Sequence, residues 1–299
     1  MDELVGSIVI GIIAGAGYAL LALGLVLVYK GSRVFNFAQG EFGTVAAFVT
    51  YILRVSHFQL PWPVAIAGGL LAGLLVGLLL ERLVVQPLFN APKVTLLVAT
   101  AAIALGLIAV QLLLGDAQTR YFPPIVAGNA VTVMGTPIAW AQILVVLVLA
   151  AVVVSLSAFF KLTDLGLAVL AASQEPTATN LVGISVRRIS ALVWGMSALL
   201  GGLAGILLAQ NRSDFTPGFV TSQVLIFGFV AAVIGGFTSL PGAVLGGMVL
   251  GLVQQLTITY LDAEVLQRNL PQGREQVVIF VLLLAVLLVR PTGLLGKET

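Results

Sequence analysis

Leu4-Val-Gly-Ser-Ile-Val-Ile-Gly-Ile-Ile-Ala-Gly-Ala-Gly-Tyr-Ala-Leu-Leu-Ala-Leu-Gly-Leu-Val-Leu-Val-Tyr29 carries no charge between Glu3 and Lys30. A helix needs about 20 mostly apolar residues to cross a hydrocarbon layer about 30 Å thick, so residues 4–29 read as a membrane span. The rest of the chain follows suit. Hydrophobic residues make up 60% of its 299 positions and charged residues 9%, and mean hydropathy is +1.14. A soluble domain carries roughly 25% charge, and 14 Lys+Arg with 12 Asp+Glu cannot cover a water-facing surface of this size. Most of the surface must face lipid. The fold class is therefore an all-α polytopic membrane protein, with 1–299 read as one transmembrane unit.

Charge-free stretches set about 8–9 transmembrane helices. Span two begins near Val34 and must carry Glu41 within it, because Glu41 to Arg54 is too short to cross. Span three covers about 61–80 and is closed by Glu81-Arg82; span four lies between Lys93 and Asp116. Pro123-Pro124, Gly128-Asn129 and Pro137 break the next stretch into an ordered external loop, followed by span five over about 138–160. Span six is about 189–210. Phe215 to Leu261 holds spans seven and eight, with Ser239-Leu-Pro-Gly242 as the turn between them. A short ninth span runs into Arg290-Pro291.

Cytoplasmic loops carry an excess of Lys and Arg. With the N-terminus outside, Lys30, Arg33, Arg82, Lys93, Lys161, Arg187, Arg188, Arg290 and Lys297 face the cytoplasm, against Arg54, Arg120, Arg212, Arg268 and Arg274 outside. A re-entrant span two would move the N-terminus inside and leave the rest unchanged. Met1-Asp2-Glu3 is acidic where a signal peptide needs basic residues, so no cleaved leader is expected.

Several glycines stand four apart: Gly11/Gly15, Gly69/Gly73/Gly77, Gly201/Gly205, Gly242/Gly246 and Gly247/Gly251. Small residues at that spacing let helix backbones approach closely in lipid. The plain reading is that they pack this chain's own bundle; the alternative is that some seat a second membrane subunit. Arg33-Val-Phe-Asn-Phe-Ala-Gln-Gly-Glu-Phe also echoes Arg212-Ser-Asp-Phe-Thr-Pro-Gly-Phe. An inverted repeat would place these on opposite sides, but chance is the preferred reading of so short a match.

The chemistry is notable for what it excludes. Ion-coupled carriers place carboxylates or histidines within the membrane; here Glu41 alone lies inside a span, and His57 sits at an outer edge beside Pro61. With no cysteine, thiolate catalysis and Cys-ligated metals drop out. Gly296-Lys297 lacks the Ser/Thr and the upstream glycine of a phosphate loop. A net charge of +2 gives no nucleic-acid surface. No catalytic, cofactor-binding or metal residue is assigned, so the chain reads as a conduit without its own energy source.

Attention then falls on the cytoplasmic segment 161–188. It should form two short helices, the first capped by Asp164, the second started by Pro176 and ended by a left-handed Gly183. Leu167, Leu170 and Ala171 share one face of the first; Leu181 and Val182 close the second. Such helices suit docking into a partner's groove, or merely packing on the inner leaflet.

Phe35-Asn-Phe-Ala-Gln-Gly-Glu-Phe42 resembles the Asn-Phe-Ala-(His/Gln)-Gly-Glu signature of branched-chain amino-acid ABC transporter permeases. Residues 163–190 are similar to that family's coupling loop, with Gln174-Glu175 and Leu181-Val-Gly-Ile184 in register. Ala198-Leu-Leu-Gly-Gly-Leu-Ala-Gly205, Ile234 to Gly247 and Val289 to Gly296 match further blocks in family order. The short N-terminus resembles the smaller of the two permeases in such systems. The resemblance implies an ABC importer permease fold with a coupling-helix loop, in a bacterial or archaeal cytoplasmic (inner) membrane. It implies a second permease subunit, two ATP-binding subunits that hydrolyse ATP, and a periplasmic or lipid-anchored solute-binding protein delivering to loops around 115–138 and 211–219. Substrates would be branched-chain or related aliphatic amino acids, with urea or short amides as the alternative. A self-sufficient ion-coupled transporter, or a purely structural membrane subunit, is the rival from another class.

Asp164, Gly166, Glu175 and Gly183 would then transmit force from the ATPase. Asn36, Gln39 and Glu41 would form a gate or path element, or else a helix cap with Asn36 as N-cap and Glu41 snorkelling. Two departures stand out. Leu167-Ala-Val-Leu-Ala-Ala lies where the family usually carries Arg, and Gln39 where it often has His.

Overall fold

The computed structural model describes residues 2–115, 117–133, 135–262 and 274–296. Asp116, Arg268 and Lys297, whose charges entered the reading above, lie outside them. The helices are α1 (Asp2–Ser32), α2 (Gln39–Tyr51), α3 (Trp62–Leu80), α4 (Lys93–Gly115), α5 (Trp140–Leu162), α6 (Asp164–Gln174), α7 (Pro176–Leu181), α8 (Val186–Arg212), α9 (Leu225–Gly235), α10 (Leu240–Asp262) and α11 (Arg274–Val289). Single π-turns extend α2 over Ile52–Ser56 and α3 over Glu81–Val85, and another, Val220–Val224, leads into α9. Six of the described helices are long and apolar enough to cross a membrane; Val220–Gly235 and Glu275–Val289 are shorter apolar segments. With α2 these account for nine spans in the places expected.

Among the described residues, short strands interrupt the helices at one end alone. β1 (Arg120–Tyr121) pairs antiparallel with β4 (Asp214–Phe215), and β2 (Asn129–Val133) with β3 (Thr136–Ala139). This is the ordered loop read from its prolines. Phe122, Phe215 and Phe219 are buried beneath it, and the Trp62 ring lies tilted against Phe122, centroids 5.9 Å apart. Arg54, Arg120 and Arg212 gather at this end, since Arg54 lies over Trp62 and β1 joins β4. Lys30, Arg33 and Lys161 gather at the other, where Lys30 lies 5.8 Å from the Phe160 ring and Arg33 reaches α6. These three members of each charge group thus occupy opposite ends of the bundle.

The glycine pairs pack this chain's own helices. A Cβ on Gly11 or Gly15 of α1 would meet the α10 backbone at Gly247–Leu252; one on Gly201 would meet Gln39, and one on Gly205 the backbone of Gly43 in α2. Gly69, Gly73 and Gly77 face Thr50, Ala46, Phe42 and Ala198, while Gly242 and Gly246 face α9. Lipid gives helices little hydrophobic reason to associate, so contact between backbones supplies the cohesion.

Two expectations need correction. The turn between spans seven and eight lies at 236–239, and Leu240-Pro241-Gly242 is already the first turn of α10, with Ser239 Oγ accepting from the Gly242 N–H at 3.1 Å. Proline suits a first turn because its missing N–H would be unpaired there anyway. Glu81 does not close span three. It is buried, accepts from Gln86 Nε2 at 3.0 Å, and the helix continues past it through the π-turn.

The echo set aside as chance is structural. α1 and α8 run antiparallel through the centre, Gly17 facing Leu208, Gly24 facing Ser197 and Gly31 facing Val193. Each ends in a left-handed residue, Arg33 (φ 54°) and Ser213 (φ 63°). Each is followed by five residues outside any helix, 34–38 and 214–218, with helix resuming at Gln39 and Phe219. α8 rests on α2 and α3 as α1 rests on α9 and α10, and α2 lies on α3 as α9 lies on α10. Two halves of like construction therefore run in opposite senses, as in many transporters. Residues this dissimilar hide the relation, because only backbone course and small-residue contacts need to match.

Candidate functional site

The stretch Val34–Ala38 turns back into the bundle before α2 begins. Phe35 O accepts from Thr100 Oγ1 of α4, which in turn accepts from the Phe37 N–H, both at 3.3 Å. Asn36 Oδ1 accepts from the Ala38 N–H at 3.0 Å, so Asn36 braces the turn rather than capping the helix. The residue preceding α2 is Ala38, which has no side-chain cap. Irregular backbone is tolerated at such depth only where protein covers it, and Asn36, Gln39 and Glu41 are all fully buried.

Gln39 lies level with the middle of α8. Its Nε2 donates to Ser197 O at 3.0 Å, and the Ser197 hydroxyl sits 2.6 Å from Gln39 Oε1 and 2.9 Å from Gly24 O. One side chain thereby ties α2 to both central helices. Glu41, two residues on and so on the other side of the helix, faces the opposite half of the repeat. Its Oε2 accepts from Gln111 Nε2 at 2.6 Å, and Gln111 Oε1 accepts from the Gly218 N–H at 3.1 Å. Thr44 Oγ1 accepts from the Val220 N–H at 3.4 Å, and Gly40 abuts the Thr221 backbone. Two half-helices thus meet start to start inside the bundle. The Gly218 and Val220 N–H groups there donate to one amide and one hydroxyl, and the positive dipole ends lie beside one carboxylate. Glu41 does not snorkel.

Thr100, Gln111 and Ser197 were missed from the sequence. Each is a lone polar residue in an apolar run, and its partner lies on a distant segment. This network makes a separable prediction. Gln111→Leu leaves a buried Glu41 oxygen and the Gly218 N–H without partners, a loss of about 1–3 kcal/mol each, whereas Glu41→Gln keeps an acceptor. The thermal midpoint in detergent should fall clearly for Gln111→Leu and less for Glu41→Gln; an unchanged Gln111→Leu midpoint would contradict the junction.

At the other end, α6 and α7 form the expected pair of short helices. The cap of α6 is Thr163, not Asp164: Thr163 Oγ1 accepts from the Gly166 N–H at 3.0 Å, and Asp164 is the exposed first helical residue. Gly166 is buried where any Cβ would strike the Phe159 carbonyl, so it lets α6 fold back on α5. Glu175 is the exposed joint between α6 and α7, and Pro176 opens α7. α7 ends with Gly183 at φ 87°; Gly183 N–H donates to Asn180 O and Ile184 N–H to Thr179 O, at 3.0 and 3.1 Å. That pair of bonds is the Schellman cap. Ala168, Val169 and Ala172 form the buried stripe of α6, one step round from the face expected, and Leu167 is exposed. Leu165 and Leu167 on α6 and Leu181 and Val182 beyond it are 55–84% exposed.

Arg33 joins the two regions. Its Nε and Nη2 both donate to Ser173 O in the last turn of α6, at 3.3 and 3.0 Å, and its guanidinium lies over Tyr29. The residue that ends α1 and starts the inward turn therefore also holds α6.

The high-affinity branched-chain amino acid transport system permease protein BraD of Pseudomonas aeruginosa is 31% identical, covering 97% of this chain and 95% of its own. Its counterpart LivH of Escherichia coli is 28% identical over 96% and 94%. The probable branched-chain amino acid transport permease protein LivH of Methanocaldococcus jannaschii is 29% identical over 93% and 88%. No solved structure matches. The sequence model described as branched-chain amino acid transport system / permease component matches residues 7–287, and the chain belongs to that family of multi-pass membrane permeases.

Proposed function

We propose that this chain is the permease subunit of an ATP-driven importer of branched-chain or related aliphatic amino acids in the cytoplasmic (inner) membrane of its cell. It would work beside a second permease, two ATP-binding subunits and a periplasmic or lipid-anchored solute-binding protein. The substrate class rests on the transport named for the similar permeases. The observation that carries the ATP-driven reading is the exposed apolar surface of α6 and α7, with Arg187 and Arg188 exposed beside it. Leu165, Leu167, Leu181 and Val182 stand on short helices whose other side packs inward, and such a surface suits a partner's groove.

In this reading Asp164, Gly166, Glu175 and Gly183 shape the coupling helices, and Arg33 passes their displacement to the inward turn. Asn36, Gln39 and Glu41 hold the half-helix junction as the gate. A shift of α6 pulls on Arg33, and Arg33 is continuous with the stretch that positions Gln39 and Glu41. Arg33→Gln should reduce uptake roughly tenfold, the fall expected from losing about 1.5 kcal/mol of charge-assisted hydrogen bonding, while ATP hydrolysis persists. Arg33→Lys keeps the charge without the forked donors and should fall between. Equal uptake by all three proteins would remove Arg33 from the path.

The direct test is uptake of labelled leucine by proteoliposomes holding the chain with its partner subunits and binding protein. Uptake should require internal ATP and be displaced by isoleucine and valine. Accumulation of urea but not leucine would overturn the substrate class, and leucine uptake driven by an ion gradient alone would overturn the mechanism.

A further inference from the structure

Arg33 and Ser213, the left-handed residues that close α1 and α8, give the two halves a common origin. Glu41 and Thr221 are each the eighth residue beyond it. They are therefore mates in the inverted repeat, and they meet. A Cβ on Gly40 would strike Thr221 Oγ1 and lie 2.8 Å from the Thr221 backbone, and Thr221 and Gln111 are the polar side chains that act on the Glu41 carboxyl. The junction of the two half-helices thus lies on the axis relating the halves. Two buried atoms are left over there. Glu41 Oε1 and Thr221 Oγ1 have no partner at hydrogen-bonding distance and angle among the described residues, and Glu41 is 0% exposed. The backbone N–H groups around them are already spent. Those of Gln39, Glu41 and Phe42 donate to Asn36 O and Ala38 O, and those of Gly218 and Val220 to Gln111 and Thr44. Every charged residue on α1, α3, α4 and α8, from Lys30 and Lys93 to Glu81 and Arg212, stands in or beyond an end turn, and none acts on Glu41. The tyrosines of α1 are engaged elsewhere, Tyr18 with Gln254 and Tyr29 with Phe35.

We propose that Glu41 is held as the neutral carboxylic acid, its Oε1–H donating to Thr221 Oγ1, and that this acid–hydroxyl pair is the latch between the two halves. An ionised carboxylate at this depth would keep one firm donor, Gln111 Nε2, and no counter-charge, and burying an ion so poorly matched costs far more than burying the neutral acid. The acid form suits every atom present. Oε2, which accepts from Gln111 at 2.6 Å, is its carbonyl oxygen; Oε1 carries the proton; and Thr221 Oγ1 offers lone pairs to receive it. The halves then part and rejoin across a single neutral hydrogen bond, whereas an ion would have to be solvated afresh at each opening.

The test is infrared difference spectroscopy of the purified full-length chain in mild detergent at neutral pH, wild type against Glu41→Gln. The wild-type protein should show a protonated-carboxyl C=O band that Glu41→Gln removes and that Glu81→Gln, at the other buried carboxyl, leaves in place. Thr221→Val keeps the side-chain shape without the hydroxyl and should move the band to higher frequency, since the acid loses its acceptor. Thr221→Ser restores the hydroxyl and should return the band. Carboxylate bands in place of the acid band would overturn the neutral state, and a band indifferent to Thr221→Val would overturn the pairing. Glutamate labelled with carbon-13 at its carboxyl gives the same reading without a variant: the wild-type acid band should shift on labelling, and the absence of any label-sensitive acid band would also overturn the proposal. No solute or ATP is present, so failure here leaves the importer reading intact, and failure of the uptake assay leaves the latch intact.

Discussion

Gly183→Val should uncouple ATP hydrolysis from uptake in the assembled transporter while the permease stays folded. Gly183 has φ 87°, and a Cβ there would meet nothing within 4 Å. Crowding is therefore not the obstacle. The obstacle is the backbone, since a left-handed conformation costs an L-residue roughly 1–2 kcal/mol and more when the side chain is β-branched. The cheapest relief is to open the Schellman cap, which frees the Asn180 and Thr179 carbonyls and lets the end of α7 unwind. Leu181 and Val182, the most exposed apolar pair of the coupling segment, then lose their fixed placement. Gly183→Asn supplies the control, because asparagine tolerates this conformation. Uptake per ATP hydrolysed should fall at least tenfold in the valine variant and less than twofold in the asparagine one. Normal uptake by Gly183→Val would show that the cap plays no part in coupling.

Gly205→Val should abolish a folded, monodisperse permease, with the largest loss of stability expected of any single change considered. A Cβ at Gly205 would fall on the backbone of Gly43, and one at Gly43 would meet Gly201 O at 2.7 Å. No flexible side chain stands there to move aside. Overpacking a core costs about 1–3 kcal/mol where side chains can adjust, and here the obstruction is main chain. Relief requires α2 to leave α8, which breaks the Gln39–Ser197 pair and withdraws Glu41 from Gln111. Gly106 is the control. It lies on the exposed face of α4 with nothing within 4 Å of a Cβ, so Gly106→Ala should be neutral, or stabilise by about 0.5–1 kcal/mol. Size-exclusion profiles and thermal midpoints of the two variants check this. A Gly205→Val protein as stable as Gly106→Ala would refute the packing account.

These cases show what could be read in advance. Span positions were legible because charges mark span ends, and Gly183 because a glycine just after the apolar pair that closes a short helix suits a left-handed cap. The glycine spacing identified the close contacts, though not which helices make them. The mid-bundle start of α2 was hidden, since hydropathy cannot separate a buried extended stretch from a helix. Glu41 stood out as an intramembrane carboxylate, but its partner Gln111 is 70 residues away and looked like any polar residue near a span end. Glu81 was assigned to the boundary because Arg82 follows it, whereas Gln86 and the π-turn keep it inside. The inverted repeat was discounted because its sequence trace is one short echo; it survives in the paired left-handed residues and in the way helices lean on one another.

The most direct measurement of the central claim is isolation of the tagged chain from its native membrane in mild detergent, with mass spectrometry of what accompanies it. The account predicts an ATP-binding subunit and a second permease in stoichiometric amounts; when Leu181 and Val182 are replaced by aspartate, the ATP-binding subunit is lost and the second permease retained. A chain that purifies alone and still moves solute under an ion gradient would contradict it.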